Sequence, residues 1–256
     1  MTDRRIVLVG IGTGNPEHMT IQAINALNRL DVVLVPRKGQ AKADLADVRL
    51  EICKRYLTNP DTRIVEFDLP VRDAQNPSYE TGVADWHQVI AGNYRDLFAA
   101  QADGAKIGLL VWGDPSLYDS TLRILSRVAA MGMRFETEII PGITSMQALA
   151  ASHGIALNAI GKPFVVTTGR QLRDGFPDGA DTAIVMLDGE TSFDTLDGTQ
   201  FDIHWGARLG MDDETIAAGP LDKMGAVIKD LRAKLRAQHG WVMDIYLLRR
   251  KATKQD

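Results

Sequence analysis

The chain has little with which to build a reactive centre of the familiar kinds. Its single cysteine, Cys53, excludes an internal disulfide and a cysteine-clustered zinc site, and it suits a reducing cytoplasm. Cys53 follows the apolar rhythm Leu45, Val48, Ile52, Tyr56, which reads as a buried structural thiol rather than a nucleophile. No apolar run approaches the roughly 20 residues of a membrane-spanning helix. The opening MTDRR followed by IVLVGIG imitates a secretory leader, but its apolar run breaks at Gly12 to Pro16 and no small-residue cleavage site follows, so no leader is expected. Nor is there a charge excess: a net charge of -4 gives no bulk attraction to nucleic acid or anionic membrane, so an anionic ligand has to be met by local basic residues. There is no HExxH, no GxxxxGK[ST] loop and no GxSxG elbow, and the 5 histidines are scattered without ligand spacing. A metal centre, a kinase and a hydrolase are therefore not indicated.

What is present is a repeated strand, loop and helix pattern in a chain of 256 residues, long enough for two domains. The apolar run Ile107 to Trp112 reads as a buried parallel strand that stops at Gly113-Asp114-Pro115, and Asp119 or Ser120 then caps a helix facing inward through Ile124, Leu125, Val128 and Met131. Arg4 to Ile11 is a first strand, followed by the glycine loop Gly10 to Pro16 and a helix capped by Thr20, with Ile21, Ile24, Leu27 and Leu30 predicted inward. The dinucleotide fingerprint fails here. The third glycine comes one position early, Pro16 intervenes, and Asp31 precedes the second strand, Asp31 to Pro36, instead of ending it. The glycines then leave two readings open, a tight strand-to-helix turn or a ligand loop. A helix from Leu45 to Tyr56, a third strand from Arg63 to Pro70, a polar stretch from Val71 to Ser78 and a helix presenting Val83, Trp86, Ile90, Leu97 and Phe98 follow. A fifth strand, Arg134 to Ile140, ends in Pro141-Gly142-Ile143-Thr144-Ser145. In such a sheet, ligands bind in the crevice beyond the carboxyl ends of the strands.

Periodicity lapses between Ile155 and Pro163, which places a domain boundary between residues 158 and 159. Beyond it, strand-like runs lie at Phe164 to Thr168, Ala183 to Asp188, Ile203 to Leu209 and Trp241 to Leu248, with Thr215 to Ala218 a short fifth. The helix Leu221 to His239 is predicted to bury Met224, Val227, Ile228, Leu231 and Leu235. The fold class is thus α/β in two domains: residues 1–158 around a mainly parallel five-stranded sheet, and residues 159–256 around a mixed one.

The segments GIGTGNP at Gly10 to Pro16, DVVLVP at Asp31 to Pro36, GDPSLY at Gly113 to Tyr118, PGITS at Pro141 to Ser145 and GARLG at Gly206 to Gly210 resemble, in order and spacing, the tetrapyrrole methylases. The likeness covers nearly the whole chain, and five weak motifs in register make a strong one. It implies two α/β domains with a cleft between them that holds S-adenosylmethionine, released as S-adenosylhomocysteine. Carried over by position, Trp112, Gly113, Asp114, Pro115, Leu117 and Tyr118 would meet the methionine and ribose parts. Thr144 and Ser145 would hydrogen-bond the donor, Ala207 would flank it, Gly219, Pro220 and Leu221 would contact the adenine, and Pro36 would line the same cleft. Leu187 stands where the family often has methionine. Gly12, Thr13 and Gly14 would floor the tetrapyrrole site. The longer phrases GIGTGNPEHMT, LVWGDPSLYDSTLRIL, HGIALNAIG and DIYLLRR are most similar to the branch that methylates C-1 of precorrin-5 and releases acetate to give precorrin-6A. A polycarboxylate substrate calls for cations, for which Arg37, Lys38, Arg72, Arg170 and Arg208 are candidates. Loss of the acetyl group calls for a base or an oxyanion donor, for which Asp114 and Tyr118, then His87 and Asp188, are candidates. The rival readings are another precorrin methyltransferase, an rRNA ribose methyltransferase and a nucleotide-binding regulatory protein. Family likeness alone implies a homodimer, and neither nucleic acid nor membrane is expected as a partner.

Overall fold

The apolar runs of the first half become five strands: β1 (Arg4–Gly10), β2 (Val32–Arg37), β3 (Arg63–Asp68), β4 (Lys106–Val111) and β5 (Phe135–Ile140). They form one parallel sheet in the order β3-β2-β4-β1-β5. The computed structural model from which this is taken describes residues 3–37, 43–70 and 79–251. Helices connect the strands: α1 (Ile21–Leu27), α2 (Ala43–Tyr56), α3 (Tyr79–Ala99) and α4 (Thr121–Ala130).

Alternation along the central strands fills both faces, as a parallel sheet covered on two sides requires. Val7, Val9, Val33, Val35 and Leu110 pack with α1 and α2 residues such as Ala23, Leu27 and Ile52. Ile6, Leu8, Leu34, Leu109 and Val111 pack with Ile90 and Phe98 of α3 and Ile124 and Val128 of α4. Each such side chain taken fully out of water contributes about 1.5–3 kcal/mol. Cys53 belongs to the first of these clusters, and burial pushes its thiol up to about 11.

The chain leaves β1 for one face of the sheet and leaves its neighbour β4 for the other. That divergence is the topological switch point, where a crevice opens at the carboxyl ends.

Helix α1 differs from expectation in the side it presents. Ile21 is 78% exposed, because the buried positions of α1 are Ala23, Ala26 and Leu27, and its two alanines let a seven-residue helix lie close on the sheet.

The second unit is built on α5 (Ser145–His153), β6 (Phe164–Thr168), α6 (Gly169–Leu172), β7 (Thr182–Met186), β8 (Phe201–Ala207), β9 (Thr215–Pro220), α7 (Leu221–His239) and β10 (Asp244–Arg250). Its sheet runs β6-β7-β10-β8-β9, parallel between β6 and β7 and antiparallel elsewhere. The chain divides at Thr144 and Ser145, ahead of the periodicity lapse, because Ala148 and Leu149 of α5 pack with Ile245 and Leu247 of β10. On α7 the inner face is Leu221, Gly225, Ile228, Arg232 and Leu235. Val227, expected inside, is 45% exposed, and an arginine occupies the interior in its stead. Among the described residues no helix is long and apolar enough to cross a membrane.

Candidate functional site

Three strand ends of the first unit meet main chain against main chain. A Cβ on Gly142 would lie 2.1 Å from the Gly113 carbonyl oxygen, and one on Gly10 would lie 2.6 Å from the Gly142 nitrogen. Only glycine permits such an approach. Gly113, at φ +66, donates its N–H to the Gly12 carbonyl at 2.7 Å and forms an isolated bridge with it. The ends of β1, β4 and β5 are thereby fixed to one another at the switch point.

Asp114 completes the fixture. It is 9% exposed; its Oδ1 accepts from the Ser116 N–H at 2.8 Å and from the Ser116 hydroxyl, and its Oδ2 accepts from the Gly142 N–H at 2.8 Å. Burial alone would raise this carboxyl, but the Ser116 hydroxyl and the Gly142 and Ser116 amides outweigh it and hold the group below the ordinary aspartate value. It is thus ionised near neutral pH, with both oxygens engaged in bracing the loop. Around it Pro115 is buried and Trp112 and Leu117 are half-buried, while Tyr118 is 43% exposed in the left-handed region at φ +49. Burial pushes the Tyr118 phenol up, which keeps it a hydrogen-bond donor at neutral pH.

The glycine loop after β1 is closed by the protein itself. A Cβ on Gly12 would meet His18 Cβ at 2.3 Å, and the buried Thr13 hydroxyl lies 3.0 Å from His18 Nδ1. The Thr20 hydroxyl accepts from the Ala23 N–H at 3.0 Å, so α1 caps its own first turn. The Gly12 N–H turns to the Gly113 carbonyl at 3.4 Å, and a pyrophosphate cradle would need such amides presented outward, so these contacts favour the tight turn.

In the second unit, β6, β7 and β8 run the same way, and their carboxyl ends gather Arg170, Leu187, Asp188, Ala207 and Arg208 at one edge of the sheet. Gly219, Pro220 and Leu221 are not brought there: Ala207 pairs with Thr215 and Gly219 with Ile203, so the group lies about 13 Å along the strands toward the other edge. Leu187 is 64% exposed at φ +54 and Arg208 stands at φ +52. Of the four non-glycine residues at positive φ among the described residues, Tyr118, Leu187 and Arg208 are candidates from the sequence, and Thr191 is the fourth. Strain of this kind gathers where a site over-determines its backbone.

Leu187 is held by a network that the sequence did not disclose. Next to it, Asp188 is 6% exposed and accepts from Tyr246 Oη and the Ser192 N–H at 2.6 Å, from Ser192 Oγ at 2.9 Å and from the Glu190 N–H at 3.0 Å. Burial works to raise it, but the Tyr246 hydroxyl and the loop donors carry it below the ordinary value. Arg232 of α7 donates to the Asp188 carbonyl and pairs with Asp244 at 2.6 Å, and Asp244 also accepts from Trp205 Nε1 at 2.9 Å. Burial raises the Asp244 carboxyl despite that arginine. These residues are scattered over 58 positions, and no periodicity ties them together.

Two of the five cationic candidates are in ion pairs. Arg37 pairs with Glu66 across β2 and β3, and Arg208 Nε lies 2.6 Å from Asp213, which also meets His239 at 2.8 Å. Arg170 is exposed; Lys38 and Arg72 lie outside the described residues. His87, expected at the surface or satisfied, is 7% exposed, and its Nε2 has no hydrogen-bond partner among the described residues. Burial, then Arg127 and Arg123, push it below the ordinary histidine value, so it is neutral. Among the described residues there is no group of three or more His, Cys, Asp or Glu placed to hold a metal ion.

A family model described as tetrapyrrole (corrin/porphyrin) methylases matches residues 5–225. Precorrin-6A synthase [deacetylating] of a Sinorhizobium species is 51% identical over 251 residues, covering 97% of this chain and 96% of the relative. The crystal structure of a cobalamin-synthesis-related protein (CobF) from Corynebacterium diphtheriae superposes with a TM-score of 0.82 at 36% identity, covering 96% of this chain and 98% of that one. A uroporphyrin-III C-methyl transferase from Thermus thermophilus, complexed with S-adenyl homocysteine, shares the fold at 19% identity and a TM-score of 0.55, covering 95% and 96%.

Proposed function

We propose, from the premise that this chain belongs to the tetrapyrrole (corrin/porphyrin) methylase family, that it transfers a methyl group from S-adenosylmethionine to C-1 of precorrin-5 and releases acetate, giving precorrin-6A. The observation that carries this reading is the near full-length, 51% identity to precorrin-6A synthase [deacetylating]. S-adenosylmethionine supplies an electrophilic sulfonium methyl.

The residues present fit such a donor. Tyr118 in the first unit and Leu187 in the second each present a large side chain to solvent, 43% and 64% exposed among the described residues, as surface for such a donor. Of the set carried over from the resemblance, Pro36, Trp112, Gly113, Pro115, Leu117, Tyr118, Thr144, Ser145, Leu187 and Ala207 belong to this proposal as donor contacts, with Gly219, Pro220 and Leu221 as its farther end. Gly12, Thr13, Gly14 and Arg170 belong to it on the substrate side.

The contribution of these residues to methyl transfer is orientation, which is worth up to about 7–11 kcal/mol when reacting atoms are held at near-attack distance. Asp114 acts by position, because its oxygens are spent on the loop. Tyr118 is the hydroxyl donor for the acetyl carbonyl, where water adds and acetate leaves. Tyr118→Phe should slow acetate release about 10²–10³-fold, as removal of an oxyanion donor does, with methylation kept within about twofold. Equal loss of both would sink that role. The homodimer and the cytoplasmic location stay in the proposal, the first checked by light scattering. Mass spectrometry of the product from precorrin-5 and methyl-labelled donor tests the whole: one labelled methyl gained with the acetyl lost supports it, and a methylated product that keeps its acetyl group overturns it in favour of another precorrin methyltransferase.

A further inference from the structure

The turn that follows β7 is wound around one carboxylate. Met186 ends the strand, and the chain passes through Leu187 at φ +54 and Thr191 at φ +57 before the 3-10 turn Ser192–Thr195. Both left-handed residues carry a Cβ, and that conformation persists only where the surroundings impose it. At Leu187 the restraint does not come from packing of its own side chain, which stands in solvent. It comes from the next residue.

Inside the turn, Asp188 Oδ1 accepts from the Glu190 N–H and the Ser192 hydroxyl, and Oδ2 accepts from the Ser192 N–H and the Tyr246 hydroxyl. Each oxygen thus takes one main-chain N–H. Only a carboxylate meets that demand, because an asparagine in either orientation sets its NH2 against one of those donors. The same group also spaces two strand ends. A Cβ on Gly169 would lie 2.4 Å from Asp188 Cγ, so the main chain leaving β6 rests directly on the carboxyl, and Thr168 of β6 pairs with Met186 of β7. From α7, Arg232 donates to the Asp188 carbonyl and Arg236 Nη2 donates to the Gly189 carbonyl at 2.9 Å. A turn that only joined two elements would be relieved by glycine at position 187. A leucine held there, with its side chain uncovered, points to a task for that side chain.

We propose that Asp188 is a positioning residue for the methyl donor, holding Leu187 in its left-handed conformation so that the exposed side chain meets the donor in one fixed place. The inference rests on the proposed function, in which Leu187 is a donor contact. The oxygens of Asp188 are spent inside the turn, so it acts through Leu187 and its effect is read in donor affinity.

Calorimetry with S-adenosylhomocysteine tests this in wild type, Asp188→Asn, Tyr246→Phe, Leu187→Ala, the double variant Leu187→Ala with Asp188→Asn, and Ile228→Val, each shown by thermal melting to be folded at the temperature used. Tyr246→Phe removes one donor to Asp188 and leaves the ring packed on Phe193. Ile228→Val shortens a buried side chain of the same apolar cluster that takes no part in the hydrogen bonds of the turn, and so supplies a loss of Tm with the turn intact. Asp188→Asn should bind S-adenosylhomocysteine at least about tenfold more weakly than wild type and Tyr246→Phe about threefold more weakly, with Ile228→Val within about twofold of wild type. In the Leu187→Ala background, Asp188→Asn should weaken binding by no more than about twofold, since the side chain through which it acts is already gone. Should Asp188→Asn fail to fold, Tyr246→Phe takes its place in both comparisons.

Wild-type affinity in the folded Asp188 or Tyr246 variant overturns the inference. An equal loss in Ile228→Val overturns it too, because affinity then follows stability, and so does a full, additive loss in the Leu187→Ala background, because Asp188 then acts elsewhere. Failure of the wild-type protein itself to bind S-adenosylhomocysteine sinks the proposed donor, and this inference with it.

Discussion

The two sheets brace their strand-end loops in opposite ways. In the first, Gly10, Gly113 and Gly142 bring main chains into contact, and the Asp114 side chain helps by bonding to its own and the neighbouring loop. In the second, the loop after β7 is held by a buried cluster of Asp188, Ser192, Tyr246, Arg232 and Asp244. Bracing by absence of side chains tolerates no added atom. Bracing by buried charge tolerates no lost partner, because a remaining ion is left without solvation.

The sharpest way to break this contrast is Arg232→Met. Removing one member of a buried pair costs about 3–5 kcal/mol, so a large fall in Tm is expected, and adding Asp244→Asn to it should recover part of the loss. A double variant no more stable than the single one would show that the charge was not the cause. Next comes Gly142→Ala, which must displace main chain: a cost of about 1–3 kcal/mol and at least tenfold weaker binding of S-adenosylhomocysteine by calorimetry are expected. Unchanged binding would mean that the loop contact is incidental.

A smaller effect separates the carboxylates by pH. Asp114 and Asp188 both sit lower in the folded chain than the ordinary unfolded value of about 3.9, so their stabilisation is complete above that value and is lost as pH falls through the folded one. Asp188→Asn should therefore flatten the acid limb of a Tm-against-pH curve while lowering its neutral plateau. An acid limb of unchanged slope would contradict it. The smallest effect is expected at Gly92 in α3, where an added Cβ meets nothing within 4 Å; Gly92→Ala should raise Tm slightly, by about 0.5–1 kcal/mol in stability.

The same contrast decides what could be read from the sequence. The loops of the first unit were legible because glycine and proline at a strand end mark a turn by themselves, as at Gly113-Asp114-Pro115 and Pro141-Gly142. Their strands were legible because burial on both faces leaves continuous apolar runs such as Ile107 to Val111. The inner faces of α1 and α7 were not, because periodicity weighs a residue by its hydrophobicity. Ile21 scores as core and is exposed, while Arg232 scores as surface and is buried with its partner from β10. The strand-end loops of the first unit thus followed from their punctuation, whereas the supports in the second depend on pairs that meet only after folding.

The crowding of three glycines also bears on how such a chain can evolve. A methyl at Gly142 collides with Gly113, and one at Gly10 collides with Gly142, so a substitution at either has no compensating change at the other that makes room. The junction is closed to gradual drift, and divergence among descendants has to accumulate in the side chains set around it, with the place of the strand ends inherited unchanged.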